Sequence, residues 1–216
     1  DFDDLDQYTL FQPFNHLFSN EKNFDFDLLE SLLFTEKPGQ CIFNNTLFLN
    51  GLRKLLFCDA KWEIILLRLR KELIRKVASE DYVLNDYQLN FFIALGEQCF
   101  FNEYVFYVDD IEYVYLDQIF EDCNKFCLTE TRLIVLACYV PVYKFINKVL
   151  KFNEFSSNNV YLNKLLEVQL KEPLDEQIIS KTIKRFGSIS NIVSIKVKEQ
   201  YEKNPYPRWK SFSNNN

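Results

Sequence analysis

Residues 87–108, YQLNFFIALGEQCFFNEYVFYV, carry Phe91, Phe92, Ile93, Leu95, Cys99, Phe100, Phe101, Tyr104, Val105 and Phe106, which leaves almost no polar face. A helix apolar all round must be buried all round. The pattern therefore predicts a central helix near 87–107 against which the rest of the chain packs. Inside that run Glu97, Gln98, Asn102 and Glu103 are polar. Polar groups removed from water need partners. These four are predicted to form a buried network, accepting from backbone amides, tyrosine hydroxyls or a basic side chain such as Arg132. Burial would also raise a carboxyl pKa, which admits Glu97 or Glu103 as a general acid. A polar lock that fixes one packing arrangement is the preferred reading.

With only 4 Gly and 6 Pro in 216 residues, the chain has few breakers. That favours long helices with short connections, and an all-α, multi-helical domain of about eight to ten helices in helical-hairpin packing around the central one. Local signals place several boundaries. Asn85 with Gln88 and Asp109 with Glu112 have the form of capping boxes, so a sharp corner is expected at Val108–Asp109. Thr129 caps a further apolar segment that Pro141 interrupts, and Phe24 to Glu36 reads as a short helix ended by Lys37-Pro38-Gly39. In Ala60 to Ser79, Trp62, Ile65, Leu66, Leu69, Leu73 and Val77 make one stripe. The opposite ladder of Arg68, Arg70, Lys71, Glu72, Arg75 and Lys76 reads as solvated. Beyond the loop at 153–159, Val160 to Leu170 is helical, and Pro173 sits where another helix begins. The stretch from Ser190 mixes strand alternation with helix, and helix is expected. Residues 1–23 are predicted to be an acidic arm, 24–203 the helical domain, and 204–216 an extended Pro/aromatic arm or linker.

Net charge is -6, unevenly spread: residues 1–36 carry nine acids against Lys22, and residues 180–210 carry eight bases against two acids. These read as solvated faces, or an acidic tail on a basic one, and no nucleic-acid partner is expected. The six cysteines lie in apolar runs without the spacing of a secreted disulfide framework, which suggests reduced thiols and a cytoplasmic location. No apolar stretch has the length of a bilayer span, so no membrane partner is expected. Cys123 and Cys127, with Cys99 or Cys138, are the one combination resembling a thiolate metal site, but their spacing favours core residues, and no metal is expected. His16 is the only imidazole and reads as a surface residue. No catalytic residue is assigned. Met is absent altogether, so the chain is expected to be part of a longer product.

The closing stretch EQYEKNPYPRW ends its helix at Asn204, because a residue before proline is pushed out of helical geometry. Pro205 and Pro207 then stiffen an extended arm. Tyr201, Asn204, Tyr206, Arg208 and Trp209 are the predicted partner- or domain-docking residues. Together with FFIALGEQCFFNEYVF, ACYVPVYKF and LLEVQLKEP, this stretch resembles the segment preceding the catalytic domain in bacterial tetratricopeptide-containing, S-adenosylmethionine-dependent methyltransferases. The matches are collinear over about residues 88–210; residues 1–87 match only in being helical. The resemblance implies a non-catalytic amino-terminal helical module that positions a substrate or partner for the chain's own catalytic domain or another protein. No strand with a glycine-rich turn occurs here, and the tetratricopeptide signature survives only as a fragment at Leu95, Gly96 and Phe100. S-adenosylmethionine is therefore expected only in a downstream domain, with no cofactor in this chain. The alternative is a free-standing helical protein-interaction domain without enzymatic activity.

Overall fold

The computed structural model describes residues 30, 31, 33, 34, 42–57, 60–184 and 191–203. The chain is all-α, with no strand among the described residues. After helical residues at 30–34, the elements are a 3-10 turn Ile42–Asn44, α1 Thr46–Lys54, α2 Ala60–Glu80, α3 Asp86–Phe101, α4 Asp110–Lys125, α5 Glu130–Ala137, α6 Val142–Phe145, α7 Val160–Leu166, α8 Glu172–Thr182 and α9 Ile192–Lys203. Short 3-10 turns follow α6, and a π-turn Glu167–Lys171 joins α7 to α8. By compactness the chain divides into Asp1–Gln177 and Ile178–Asn216, with the boundary inside α8. In the first unit α3 is central and packs against α1, α5 and α7, while α2 packs against α4 and α5.

The caps are those the local sequence dictates. Asn85 Oδ1 accepts from the Gln88 amide and Gln88 Oε1 from the Asn85 amide. Asp109 and Glu112 make the same reciprocal pair at the start of α4. Thr129 Oγ accepts from the Arg132 amide, and Pro141 separates α5 from α6. Asn191 caps α9 by accepting from Val193 and Ser194, which starts a helix in spite of its β-branched residues.

Three expectations need correction. First, the central helix stops at Phe101, well short of 107, and eight residues separate it from α4 where a sharp corner was expected. Glu103 and Tyr104 are both left-handed, at φ 59 and 58. Tyr104 donates its amide to Cys99 O at 2.8 Å, turning the chain off the helix axis without a glycine. Second, α8 begins at Glu172 as expected, but the helical turns before it run into it without a break. The Pro173 ring would collide with the carbonyl four residues back in an α-helix. The preceding turn instead widens, so that the Glu172 amide donates to Glu167 O, five residues back. Third, Arg70 does not belong to a solvated ladder: it is 1% exposed.

The stripe of α2 is buried as expected, and α5 is buried from Thr131 to Ala137. Close approach of α3 to its neighbours depends on Gly96, where an added Cβ would lie 3.1 Å from Leu165 Cδ1. Gly96→Ala is expected to lower stability by about 1–3 kcal/mol by overpacking. Gly51, inside α1, meets nothing nearer than 3.8 Å, so Gly51→Ala should raise stability by about 0.5–1 kcal/mol. Urea denaturation of both variants checks the pair.

Candidate functional site

The carboxyl end of α5 lies inside the protein. Residues 133–138 are entirely buried, yet the last carbonyls of any helix lack intrahelical partners. Side chains from three other segments meet that need. The Tyr104 hydroxyl lies 3.0 Å from Ala137 O and 3.1 Å from Gln169 Oε1, and its one proton is shared between these two acceptors. Gln169, fully buried in the π-turn, donates to Gly96 O at 2.8 Å and reaches Ala137 O at 3.5 Å. Arg70, from α2, reaches Cys138 O at 3.5 Å and donates to Tyr107 O at 2.7 Å. A cation here also complements the negative end of the helix dipole.

Glu112 balances the Arg70 charge, with Oε1 3.6 Å from the guanidinium. The same oxygen accepts the Tyr139 hydroxyl at 2.6 Å, while Oε2 serves the capping box at Asp109. The Arg70 guanidinium lies 4.2 Å from the centre of the Tyr139 ring, a stacked cation-π arrangement. Burial, assisted by the Glu112 carboxylate that its hydroxyl donates to, holds Tyr139 well above the ordinary tyrosine range against the pull of Arg70. Tyr139 therefore remains a donor at any physiological pH.

The four polar residues singled out within the central run do not form one network. Gln98 is fully buried and closes the end of α1, donating to Leu52 O and Leu55 O and accepting from the Phe57 amide. Glu97 is half-buried and pairs with Arg53 at 3.8 Å. Arg132 was the expected base, but it pairs with Asp81 at 2.9 Å. Asn102 is half-buried and accepts from the Tyr104 amide. Glu103 is exposed, because its left-handed turn swings it off the helix. Of the docking residues, Tyr201 is exposed on α9; Asn204, Tyr206, Arg208 and Trp209 lie outside the described residues.

No family model matches this chain, and neither curated proteins nor solved structures supply a match. Sequence reading missed Arg70, Glu112, Tyr139 and Gln169 as partners. Three stretches of the chain converge here: Asn102–Phe106 through Tyr104, Ala137–Pro141 through its carbonyls and Tyr139, and the π-turn through Gln169.

Chemically, Tyr104, Gln169 and the outer nitrogens of Arg70 donate to backbone carbonyls, and with the Glu112–Arg70–Tyr139 cluster this ties α2, α4, α5 and the π-turn together. An open cleft of about 490 Å³ lies apart from it, lined by Asp81, Tyr82, Asp122, Phe126, Cys127 and Arg132 among others. Among the described residues no cluster of His, Cys, Asp and Glu is arranged to hold a metal, and no helix is long and apolar enough to cross a membrane.

Arg70→Met should cost about 3–5 kcal/mol, since it leaves the buried Glu112 carboxylate without its counter-ion. Adding Glu112→Gln to Arg70→Met should return part of that loss, because the amide is neutral and can still accept at the cap. A double-mutant cycle by urea denaturation reads the coupling, and simple additivity would show that the two groups act independently.

Proposed function

We propose that this chain is a non-catalytic helical module of an S-adenosylmethionine-dependent methyltransferase, and that it positions a substrate or partner for a catalytic domain outside these 216 residues. The observation that carries the reading is the surface of the second unit. Ile178, Ile179, Ile183, Ile192, Val193 and Tyr201 are each 58–72% exposed. Scattered single apolar residues are normal on a surface, but six large ones on α8, the residue that follows it and α9 suit a contact face.

The chemistry of the contact follows from the same stretch. Lys181, Lys184, Lys196, Lys198 and Lys203 outnumber Glu199 and Glu202, so the matching face is apolar with an acidic rim. Helix α9 runs into EQYEKNPYPRW, the stretch most specific to the methyltransferase resemblance, and Tyr201 belongs to both. That overlap supports a domain-docking role for α9 and the arm that follows it. A rigid polar hub in the first unit suits the same role, since a positioning module must hold its shape while its partner works.

The reading frame provides the first test. A continuation past Asn216 into a strand and a glycine-rich turn is expected, and a stop codon soon after would leave the free-standing interaction domain as the reading. For the full-length product, calorimetric titration with S-adenosylmethionine should release heat, while residues 1–216 alone give a blank. Val193→Asp and Tyr201→Ala lie on exposed positions and should each change stability by no more than about 0.5 kcal/mol. Either should weaken binding of residues 1–216 to the separately produced downstream domain by about tenfold or more. Unchanged affinity in both would remove α9 from the interface.

A further inference from the structure

Two thiols lie at the centre of the hub, and its structural role does not use them. Cys99, on α3, and Cys138, which closes α5, are both fully buried. Cys138 Sγ lies 3.6 Å from Phe92 O and would be 3.7 Å from a Cβ placed on Gly96. Phe92, Gly96 and Cys99 follow one another at helical spacing along the same face of α3. Helical side chains lean towards the amino terminus, so Cys99 leans back over Gly96 towards Cys138. Both thiols therefore face the same seam between α3 and the end of α5, and each acts on the other electrostatically.

The third member of the group is Arg70. Its outer nitrogens are occupied, but Nε is buried with no hydrogen-bond partner, and the guanidinium borders Cys99. A thiolate is the group that would satisfy such a donor. The two thiols differ accordingly. Burial pushes Cys99 up, but hydrogen bonding from Cys138 and the charge of Arg70 outweigh it and leave Cys99 below the ordinary thiol range. Burial and the neighbouring Cys99 hold Cys138 well above that range. Elsewhere, Cys123 is pushed up to about 11 by burial. A thiol whose ionisation is favoured by a cation, next to a second thiol that holds its proton more tightly, is the arrangement of an attacking and a resolving cysteine.

We propose that Cys99 and Cys138 are a peroxide-sensitive pair that closes a disulfide between α3 and the end of α5. The oxidant is a small hydroperoxide, since the site is sealed and only a small reagent can enter as the core opens locally. The Cys99 thiolate attacks one peroxide oxygen, the O–O bond breaks, and the leaving oxygen takes a proton. Cys99 is then a sulfenic acid. Cys138 attacks the Cys99 sulfur, the S–O bond breaks, and water departs with the Cys138 proton. In sum, two thiols and one hydroperoxide give one disulfide, one alcohol (water when the oxidant is hydrogen peroxide) and one further water.

The test uses the whole 216-residue chain, reduced and then exposed to hydrogen peroxide, quenched, alkylated under denaturing conditions and mapped by mass spectrometry. The expected result is a Cys99–Cys138 linked peptide as the major oxidised species. Free thiols should fall from six to four, and dithiothreitol should reverse the change. Cys138→Ser should stop the reaction at a Cys99 sulfenic acid captured by dimedone, and Cys127→Ser should leave the link intact. The wild-type map decides the matter even where a serine variant fails to fold. If peroxide that oxidises the exposed Cys127 leaves both Cys99 and Cys138 alkylatable, or if either links to another cysteine instead, the proposal is overturned.

Discussion

The arrangement of the first unit depends on one buried guanidinium. Arg70 sits between α2, the α3–α4 connection, α4 and the end of α5, with Tyr107 O, Glu112 and Cys138 O around it. Removing such a charge from water is costly unless it is paired and hydrogen-bonded. Every element that partners it is therefore held in place, because displacing one would expose the cost. The planar fork is essential to this. A lysine would present a single point charge to three acceptors that lie in different directions, and it would not stack on Tyr139.

The backbone irregularities serve the same helix end. Two consecutive left-handed residues cost about 1–2 kcal/mol each. They recur here because Tyr104 must turn away from the α3 axis to reach Ala137 O and Gln169. The π-turn has a parallel role. It makes room for Pro173 and lies where Gln169 reaches the carbonyls of α3 and α5. Deviations of this kind survive where the surroundings over-determine them. Here the constraint is a short helix whose last carbonyls have no access to water.

Much of the fold was legible because it is encoded locally. Asn85, Asp109 and Thr129 mark boundaries through amides three residues away, Pro141 does so through its own ring, and the stripe of α2 follows from its spacing. The hub was not legible, for equally physical reasons. Arg70 stands among exposed bases, and nothing local distinguishes a guanidinium that will be buried from five neighbours that form a charged face. Glu112 was visible as a cap, which accounts for one of its oxygens and hides the other. The end of α3 was misjudged because the left-handed turn uses Glu103 and Tyr104 where a glycine would have signalled it. The apolar run misled in a related way: Phe106 is buried, while Val105 and Tyr107 beside it are exposed.

Glu112 answers to three neighbours at once: the Asp109 amide, the Tyr139 hydroxyl and the Arg70 guanidinium. Aspartate would be one methylene too short to span them, and glutamine would bring a neutral group to a site balanced for a charge. A position bound in this way has almost no acceptable single-step neighbours in sequence space. Lineages descending from this chain can alter it only by passing through a worse protein or by changing residues 70, 112 and 139 together. The hub thus couples three positions far apart in the sequence, although Arg70, Glu112 and Tyr139 are all buried.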